Sequence, residues 1–468
     1  REVRKSVRAG GIERGAYRYE WGIANRLLAK ENELTGTVMR YDYDRFDFLI
    51  RQETTNGSET DVIYRVPDFV GSLFETPEKK DRRYGAGGRL LEDPDCLYHY
   101  DDEGNLVFRE FKQLQVNGVP HDRKRMEKER GIRCRATGTG WLYEWTSNGM
   151  LKKVIRPDGR PVEFRYDALG RRTAKRYFGK VTRWVWDGNV PLHEWCYKVA
   201  ETQQDEEGKP LPKEPAEDIT TWVFEADTFV PVAKIQEGKQ YSIVSDYLGT
   251  PIQMYDGQGN KTWDCTLDIY GKVTNFAGKS RCDCPFRFQG QYEDIETGLF
   301  YNRFRYYDSS IGSYISQDPI QLLGGIQMYL YVIDVNNWID AFGLKGSYVF
   351  IIDAKNKIAY VGKGKWRRFR QSVRKRTKDV FKKVAKPAAW ASAYYGDDDI
   401  AEMIEANVME KMELLGYKLE NKIKSPGANK LKKTSKAVKD FVEKAASNLI
   451  AEMFQNSGCD IKKNAKHH

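Results

Sequence analysis

The densest chemistry in this sequence is cationic. Lys363, Lys365, Arg367, Arg368 and Arg370 fall close together and run on into Arg374, Lys375 and Arg376. Side chains of this kind neutralise phosphates and release condensed counterions, so the stretch reads as a nucleic-acid contact; charge alone leaves membrane and acidic-protein partners open. The charge is also partitioned. Residues 1–344 hold 49 Lys and Arg against 53 Asp and Glu, a balance of −4, whereas residues 345–468 hold 28 against 14, a balance of +14. The seam between them is Asp340-Ala341-Phe342-Gly343-Leu344. Other reactive types are sparse. Of the seven cysteines only Cys282-Asp283-Cys284 forms a close pair, and a zinc or redox centre would want a second pair at ligand spacing, so reduced and mostly buried thiols are expected. His99, His121 and His193 stand alone.

Elements must hold these groups in place. A chain of 468 residues can build two to four domains with a sizeable core. An aromatic fraction of 13%, with 28 Tyr and 11 Trp, favours half-buried strands. No apolar run is long enough to span a bilayer and no signal segment opens the chain; it begins at Arg1, which suggests a processed or truncated product. Before the seam one pattern recurs: an aromatic-Asp pair, a Gly a few residues later, then alternation. Tyr100-Asp101 precedes Gly104, Tyr166-Asp167 precedes Gly170, and Trp186-Asp187-Gly188 and Tyr255-Asp256-Gly257 read as shortened versions. Asp before Gly is a hairpin signal, and Val162 to Tyr166 alternates with a period of two, so the units read as strand-turn-strand repeats in which Tyr packs and Asp caps.

These units resemble the tyrosine-aspartate (YD) repeats of the Rhs family. The resemblance is carried further by Asp246-Tyr247-Leu248-Gly249-Thr250-Pro251, Phe286-Arg287-Phe288-Gln289-Gly290-Gln291-Tyr292, Glu296-Thr297-Gly298-Leu299, Tyr301 to Asp308, and Ser316-Gln317-Asp318-Pro319-Ile320. It implies a large β-sheet shell enclosing a C-terminal toxin, of which residues 1–344 are an all-β YD-repeat fragment. The repeats before residue 150 are degenerate and too few for a whole shell, so an N-terminal remainder is implied as a partner. The resemblance also implies a secretion apparatus, often type VI, action in the cytoplasm of a target cell, and a cognate immunity protein, expected to be acidic to match the tail.

Rhs cores end in a motif written P-x-x-x-x-D-P-x-G-L, cut after the Leu. Here Asp340, Gly343 and Leu344 match, while Val335 and Ala341 replace the two prolines. The resemblance implies autoproteolysis after Leu344 by an aspartyl-protease-like pair, with Asp318 and Asp340 on the matching positions. Two close carboxylates cannot both ionise easily, so one stays protonated as an acid while the other activates water. Loss of the prolines loosens the local backbone and points to slow or absent cutting.

After the seam, Tyr348 to Ile352 reads as a buried strand, 353–357 as a turn, and Ile358 to Val361 as its hairpin partner. Helix-like segments follow at about 400–415 and 434–454. In the first, Ile400, Met403, Ile404, Val408 and Met412 recur at helical spacing as a core face. The arrangement resembles the GIY-YIG nucleases, giving a small α+β domain over 345–468. Gly346-Ser347-Tyr348 and Tyr360-Val361-Gly362 fall on the two triplets, Arg367-Arg368-Phe369-Arg370-Gln371-Ser372 on the arginine motif, Glu405 on the metal-binding glutamate and Asn421 on the closing asparagine. The resemblance implies a metal-dependent endonuclease acting on nucleic acid, DNA favoured. Glu405 would hold a divalent ion, Mg²⁺, with Glu402 and Glu410 as competitors. Arg368 would bind a non-bridging oxygen, Tyr348 or Tyr360 would orient or deprotonate the water, and Asn421 would position. Two other readings stay open: a non-enzymatic basic binding module on an Rhs scaffold, and a metal-independent ribonuclease toxin.

Overall fold

The Tyr-Asp signals fold into one recurring turn. At Asp101 the carboxylate accepts the N–H of Asn105, the Asp101 N–H donates to the Asn105 carbonyl, and the Gly104 N–H donates back to the Asp101 carbonyl. Gly104 has φ +81°, a conformation that glycine adopts without a Cβ penalty. Asp167, Asp246, Asp256 and Asp268 repeat this geometry, each capturing the N–H groups two and four residues on. The Asp256 turn therefore corrects the expectation of a shortened unit. Its carboxylate reaches Gln258 and Asn260, so the turn closes through Gly259 rather than Gly257. Only Asp187-Gly188 is short, with Asp187 paired to Val190 across a two-residue loop.

The computed structural model describes residues 2–9, 12–23, 26–45, 48–68, 71–199, 216–226, 228–319, 328–341 and 343, then 348–353, 358–362, 398–419, 428–429 and 432. Residues 1–317 with 329–343 form one unit, and 318–328 with 344–468 a second. In the first unit, strands follow chain order in a six-stranded sheet from Arg4–Ala9 to Glu59–Tyr64 and a 16-stranded sheet from Arg83–Tyr84 to Val273–Gly278. The early stretch thus still builds strands, and at Tyr43-Asp44 it keeps part of the same turn, the Asp44 carboxylate accepting the Phe48 N–H while the Asp44 N–H donates to the Phe48 carbonyl.

A third sheet joins the other two. Its strands are Tyr292–Asp294, Leu299–Asn302, Arg305–Asp308 and Ser313–Tyr314, and every residue of the first three is buried. Alternation sends successive side chains to opposite faces. Tyr301 and Tyr306 enter one core with Phe164, Trp184 and Trp222. Phe300, Tyr307 and Tyr314 enter another with Tyr17, Tyr41 and Tyr331. Charges are buried along with the rings. Arg172 pairs with Asp294, both essentially inaccessible, and lies over the rings of Trp184 and Tyr301, while Lys175 bridges Asp294 and Glu296. Removing one partner of such a group typically costs about 3–5 kcal/mol, because the other charge is stranded.

Between strands Leu106–Phe111 and Gly140–Trp145 the chain makes an excursion containing the helix Arg123–Arg130, unforeseen from sequence. Asp122 caps its start, accepting from the Lys124 and Arg125 N–H groups, and Gly131 ends it in the left-handed region. Glu110 ties the excursion down by accepting from the N–H groups of Arg135, Ala136 and Gly138 and from His99. Burial opposes its charge, but these donors prevail and hold its carboxyl down at about 2.

Of the six described cysteines, all free, Cys96, Cys265 and Cys284 are buried, Cys134 is half-buried, and Cys196 and Cys282 are exposed. Among the described residues no helix is long and apolar enough to cross a membrane.

In the second unit, Tyr348–Asp353 pairs antiparallel with Ile358–Gly362, as two short apolar runs flanking a polar turn predict, and Lys418–Leu419 joins that sheet parallel to Ile358–Gly362. The helix Asp398–Leu414 packs against both Ile358–Gly362 and Lys418–Leu419. Val408 and Met412, two of the predicted core-face residues, are fully buried, as is Tyr417 just beyond the helix. The segment 434–454 lies outside the described residues.

Candidate functional site

The seam up to Gly343 is seated in the buried four-stranded sheet. Asp340 is 4% exposed. Its carboxylate pairs with Arg305, Nη2 to Oδ2 3.2 Å, and accepts the Tyr314 hydroxyl at 2.9 Å. Its carbonyl accepts Nδ2 of Asn302 at 2.8 Å, and that same nitrogen donates to the Tyr314 hydroxyl at 2.7 Å. The Asp340 N–H donates to the Tyr331 hydroxyl at 3.4 Å. Burial first, then the charge of Asp340, push the Tyr314 and Tyr331 phenols well above the ordinary tyrosine range, so both remain hydroxyls. Arg305 Nε donates to the Gly343 carbonyl at 2.5 Å.

Two glycines make the fit possible. Gly290 has φ +88°, and a Cβ there would stand 2.2 Å from the Ala341 carbonyl oxygen. Gly343 has φ +66°, and a Cβ there would stand 2.7 Å from the Asn302 carbonyl oxygen. The seam thus lies backbone to backbone against the sheet, with its polar groups taken up by Asn302, Arg305, Tyr314 and Tyr331. None of these four was singled out for a role from sequence. Arg305 and Asn302 belong to the Tyr301–Asp308 family motif, which was the available signal; Tyr314 and Tyr331 carried none beyond being aromatic.

The other predicted site residues are distributed as follows. Asp318 is 2% exposed, its N–H donating to the Met328 carbonyl at 3.0 Å, and it belongs to the second unit, whereas Asp340 belongs to the first. In the tail hairpin the register sets Tyr348 opposite Gly362 and Phe350 opposite Tyr360. Positions 348 and 360 therefore share one side of the ladder, two residues out of step. Glu405 lies half-buried on the helix Asp398–Leu414, and Glu410 on the same helix is exposed. One half-buried carboxylate suits an ion that completes its shell with water and substrate phosphate; among the described residues no group of three or more His, Cys, Asp or Glu could hold a metal by itself. Leu344, Lys363, Lys365, Arg367, Arg368, Arg370, Arg374 and Asn421 lie outside the described residues.

Comparison with known proteins adds the family. Residues 145–182 match the RHS Repeat family and residues 212–327 the Teneurin YD-shell family. Double-stranded DNA deaminase toxin A of Burkholderia cenocepacia is 30% identical over 367 residues, covering 74% of this chain and 24% of that protein. Probable deoxyribonuclease RhsA of Dickeya dadantii is 31% identical over 301 residues, covering 63% and 18%. Toxin protein Tse5 of Pseudomonas aeruginosa is 28% identical over 359 residues, covering 69% and 25%. The chain spans about a quarter or less of the length of these relatives. With its Asp-capped turns, ordered β-meanders and seated seam, the repeat-bearing part of this chain belongs with the RHS-repeat and YD-shell proteins whose family models it matches.

Proposed function

We propose that this chain is the C-terminal portion of a secreted antibacterial Rhs effector, that it cuts itself after Leu344, and that residues 345–468 then hydrolyse phosphodiester bonds of nucleic acid, DNA favoured, in a target cell. The observation that carries the nuclease reading is the order of elements after the seam. A hairpin bearing Tyr348 and Tyr360 on one side of its ladder is followed by a helix that bears Glu405 and packs on the second strand of that hairpin. Relatives of similar identity are named for a DNA deaminase and a deoxyribonuclease. Activity on nucleic acid is consistent with both names, but neither selects the chemistry of this tail.

The reaction would join a water oxygen to phosphorus and break a P–O bond, with the water proton passing to a base and the leaving oxygen gaining one. Tyr348 or Tyr360 would orient the water and receive its proton, helped by surrounding positive charge. Arg368 would bind a non-bridging phosphate oxygen, and Asn421 would position the substrate. Glu405 would hold the Mg²⁺, which when bound compensates charge at the phosphate. Lys363, Lys365, Arg367, Arg370 and Arg374 would follow the backbone without reading sequence.

At the seam, Asp340 and Asp318 would share the acid and base roles, with Arg305, Asn302 and Tyr314 fixing the strand to be cut. The test uses the full chain incubated with plasmid DNA and with total RNA, in Mg²⁺ or chelator, beside Glu405→Gln and Arg368→Ala. Metal-dependent degradation lost in both variants is expected. Chelator-resistant RNA cleavage would favour the ribonuclease alternative, and nucleic-acid binding without degradation would favour the binding module. Intact-mass analysis reads the seam separately: Asp340→Asn and Asp318→Asn should each leave the chain whole.

A further inference from the structure

In a meander every second connection falls at the same end of the sheet. The Asp-capped turns at Asp101 and Asp167 lie at one end, packed so closely that a Cβ on Gly104 or Gly170 would run into Gln317 or Phe304. The opposite end holds the connections from Leu106–Phe111 to Gly140–Trp145, from Leu151–Ile155 to Pro161–Tyr166 and from Arg172–Tyr177 to Lys180–Asp187, and Val190–Lys198 finishes there. Phe178 stands at the first central position of a two-residue loop, Tyr177 pairing with Lys180. Its φ is +46° and that of Gly179 +73°, a turn that favours Asn, Asp or Gly where Phe178 stands. A bulky ring at positive φ is strained. Yet Phe178 is 69% exposed, touched by the Arg160 guanidinium 4.3 Å from its ring centre, so burial gives little in return. Strain kept without a structural return points to a use outside the fold.

Other apolar side chains share that end. Val116 is fully exposed and Leu114 71% exposed, in the excursion after Leu106–Phe111. Val119 joins them to the next connection, its N–H donating to the Pro157 carbonyl and its side chain lying over Gly159. Val199, also exposed, donates its N–H to the Gly179 carbonyl beside Phe178. The same rim is cationic. Residues 112–139 hold eight Lys and Arg against three Asp and Glu, a balance of +5 inside a part of the chain whose own balance is −4. Glu127 and Glu129 are met by Arg133 and Arg125, and Asp122 by the first N–H groups of the helix Arg123–Arg130. Lys124, Lys128 and Arg135 are exposed and have no ion pair among the described residues. Lys180 stands directly opposite Lys198, both exposed, a like-charge pair that an external anion would relieve.

Cations alone suit any polyanion, but duplex nucleic acid would leave Phe178 and Val116 in water. Apolar tips interleaved with Lys and Arg suit a bilayer interface, where rings and aliphatic side chains enter the acyl boundary and the cations stay among anionic headgroups. We propose that this rim, residues 113–119 and 178–180 with the helix Arg123–Arg130, docks the repeat-bearing part on the surface of an anionic lipid bilayer. The inference is independent of the chemistry of the tail.

The test mixes the full chain with vesicles of phosphatidylcholine alone, with vesicles of phosphatidylcholine and phosphatidylglycerol, and with duplex DNA in chelator. Co-flotation reads partition and hydrogen exchange reads location, which separates the rim from the cationic tail. The expected result is protection of residues 112–119 and 177–180 by the mixed vesicles, and by neither phosphatidylcholine alone nor DNA. Phe178→Asn with Val116→Ser should lower partition about tenfold and remove that protection. Asn is at ease at positive φ, so the melting temperature should not fall. Lys124→Glu with Lys128→Glu should weaken partition by about tenfold or more. Protection confined to residues 345–468, equal protection of the rim by DNA, or rim protection that survives the Phe178 and Val116 changes would each overturn the proposal. If that variant fails to fold, the location of protection on the unmodified chain still decides.

Discussion

Two glycines with similar backbone angles should respond very differently to a methyl group. Gly298 has φ +72° with nothing within 4 Å of a new Cβ, so Gly298→Ala should cost only the left-handed strain, about 1 kcal/mol. Gly290 has φ +88° and would drive its Cβ into the Ala341 carbonyl, so Gly290→Ala must displace the seam as well. We expect a loss of several kcal/mol, in the range of about 2–4, read by chemical denaturation, and, if the proposed cut after Leu344 takes place, a slower one by intact mass. A second residue-scale expectation concerns acid. Asp268 is buried in its turn, and burial pushes its carboxyl up to about 6 despite the N–H donors of Tyr270 and Lys272. A carboxyl raised above its unfolded value gives stability that is full below about 3.9 and is lost as pH rises through about 6. Asp268→Asn should therefore flatten the pH dependence of unfolding between about pH 4 and 7, measured by urea titration. Glu110 acts in the opposite sense. Held at about 2, it stabilises above the unfolded glutamate value near 4.3, and that contribution is lost as pH falls through about 2.

At the scale of elements, the excursion around the helix Arg123–Arg130 should depend on Glu110. Glu110→Ala strands three backbone N–H groups and His99, for which we expect a loss of roughly 3 kcal/mol or more, with early hydrogen exchange confined to residues 112–139. The same elements show what could be read in advance. The turns were legible because an Asp four residues before its target N–H and a Gly at positive φ are local signals, and the tail hairpin was legible because two short apolar runs around a polar turn are a local signal too. The Arg123–Arg130 helix had ordinary signals, Asp122 before it and Gly131 after it, but its residues are so polar that no apolar stripe draws attention to them. The seat of the seam was not legible at all. Asn302, Arg305, Tyr314 and Tyr331 converge on Asp340 through sheet pairing and core packing across tens of residues, and nothing in their local sequence announces that meeting.

At the scale of the molecule, the partition of charge into −4 and +14 makes a quantitative claim about binding. If the tail meets nucleic acid through its cationic stretch, affinity is governed by counterion release, and log K falls with log salt by about 0.9 for each phosphate neutralised on duplex DNA. Five residues, Lys363, Lys365, Arg367, Arg370 and Arg374, are proposed as backbone contacts, which sets a slope of roughly −4 to −5 before Arg368 is counted. Arg367→Ala with Arg370→Ala should lower the magnitude of that slope by about 2 and weaken binding equally across unrelated sequences, because phosphate contacts carry no sequence information. Fluorescence anisotropy with a duplex oligonucleotide over a salt series, using the Glu405→Gln chain so that the DNA survives, measures both quantities. A slope near zero would detach the basic stretch from nucleic acid and return its charge to an acidic protein partner. An unchanged slope in the double variant would move the contact elsewhere in the tail.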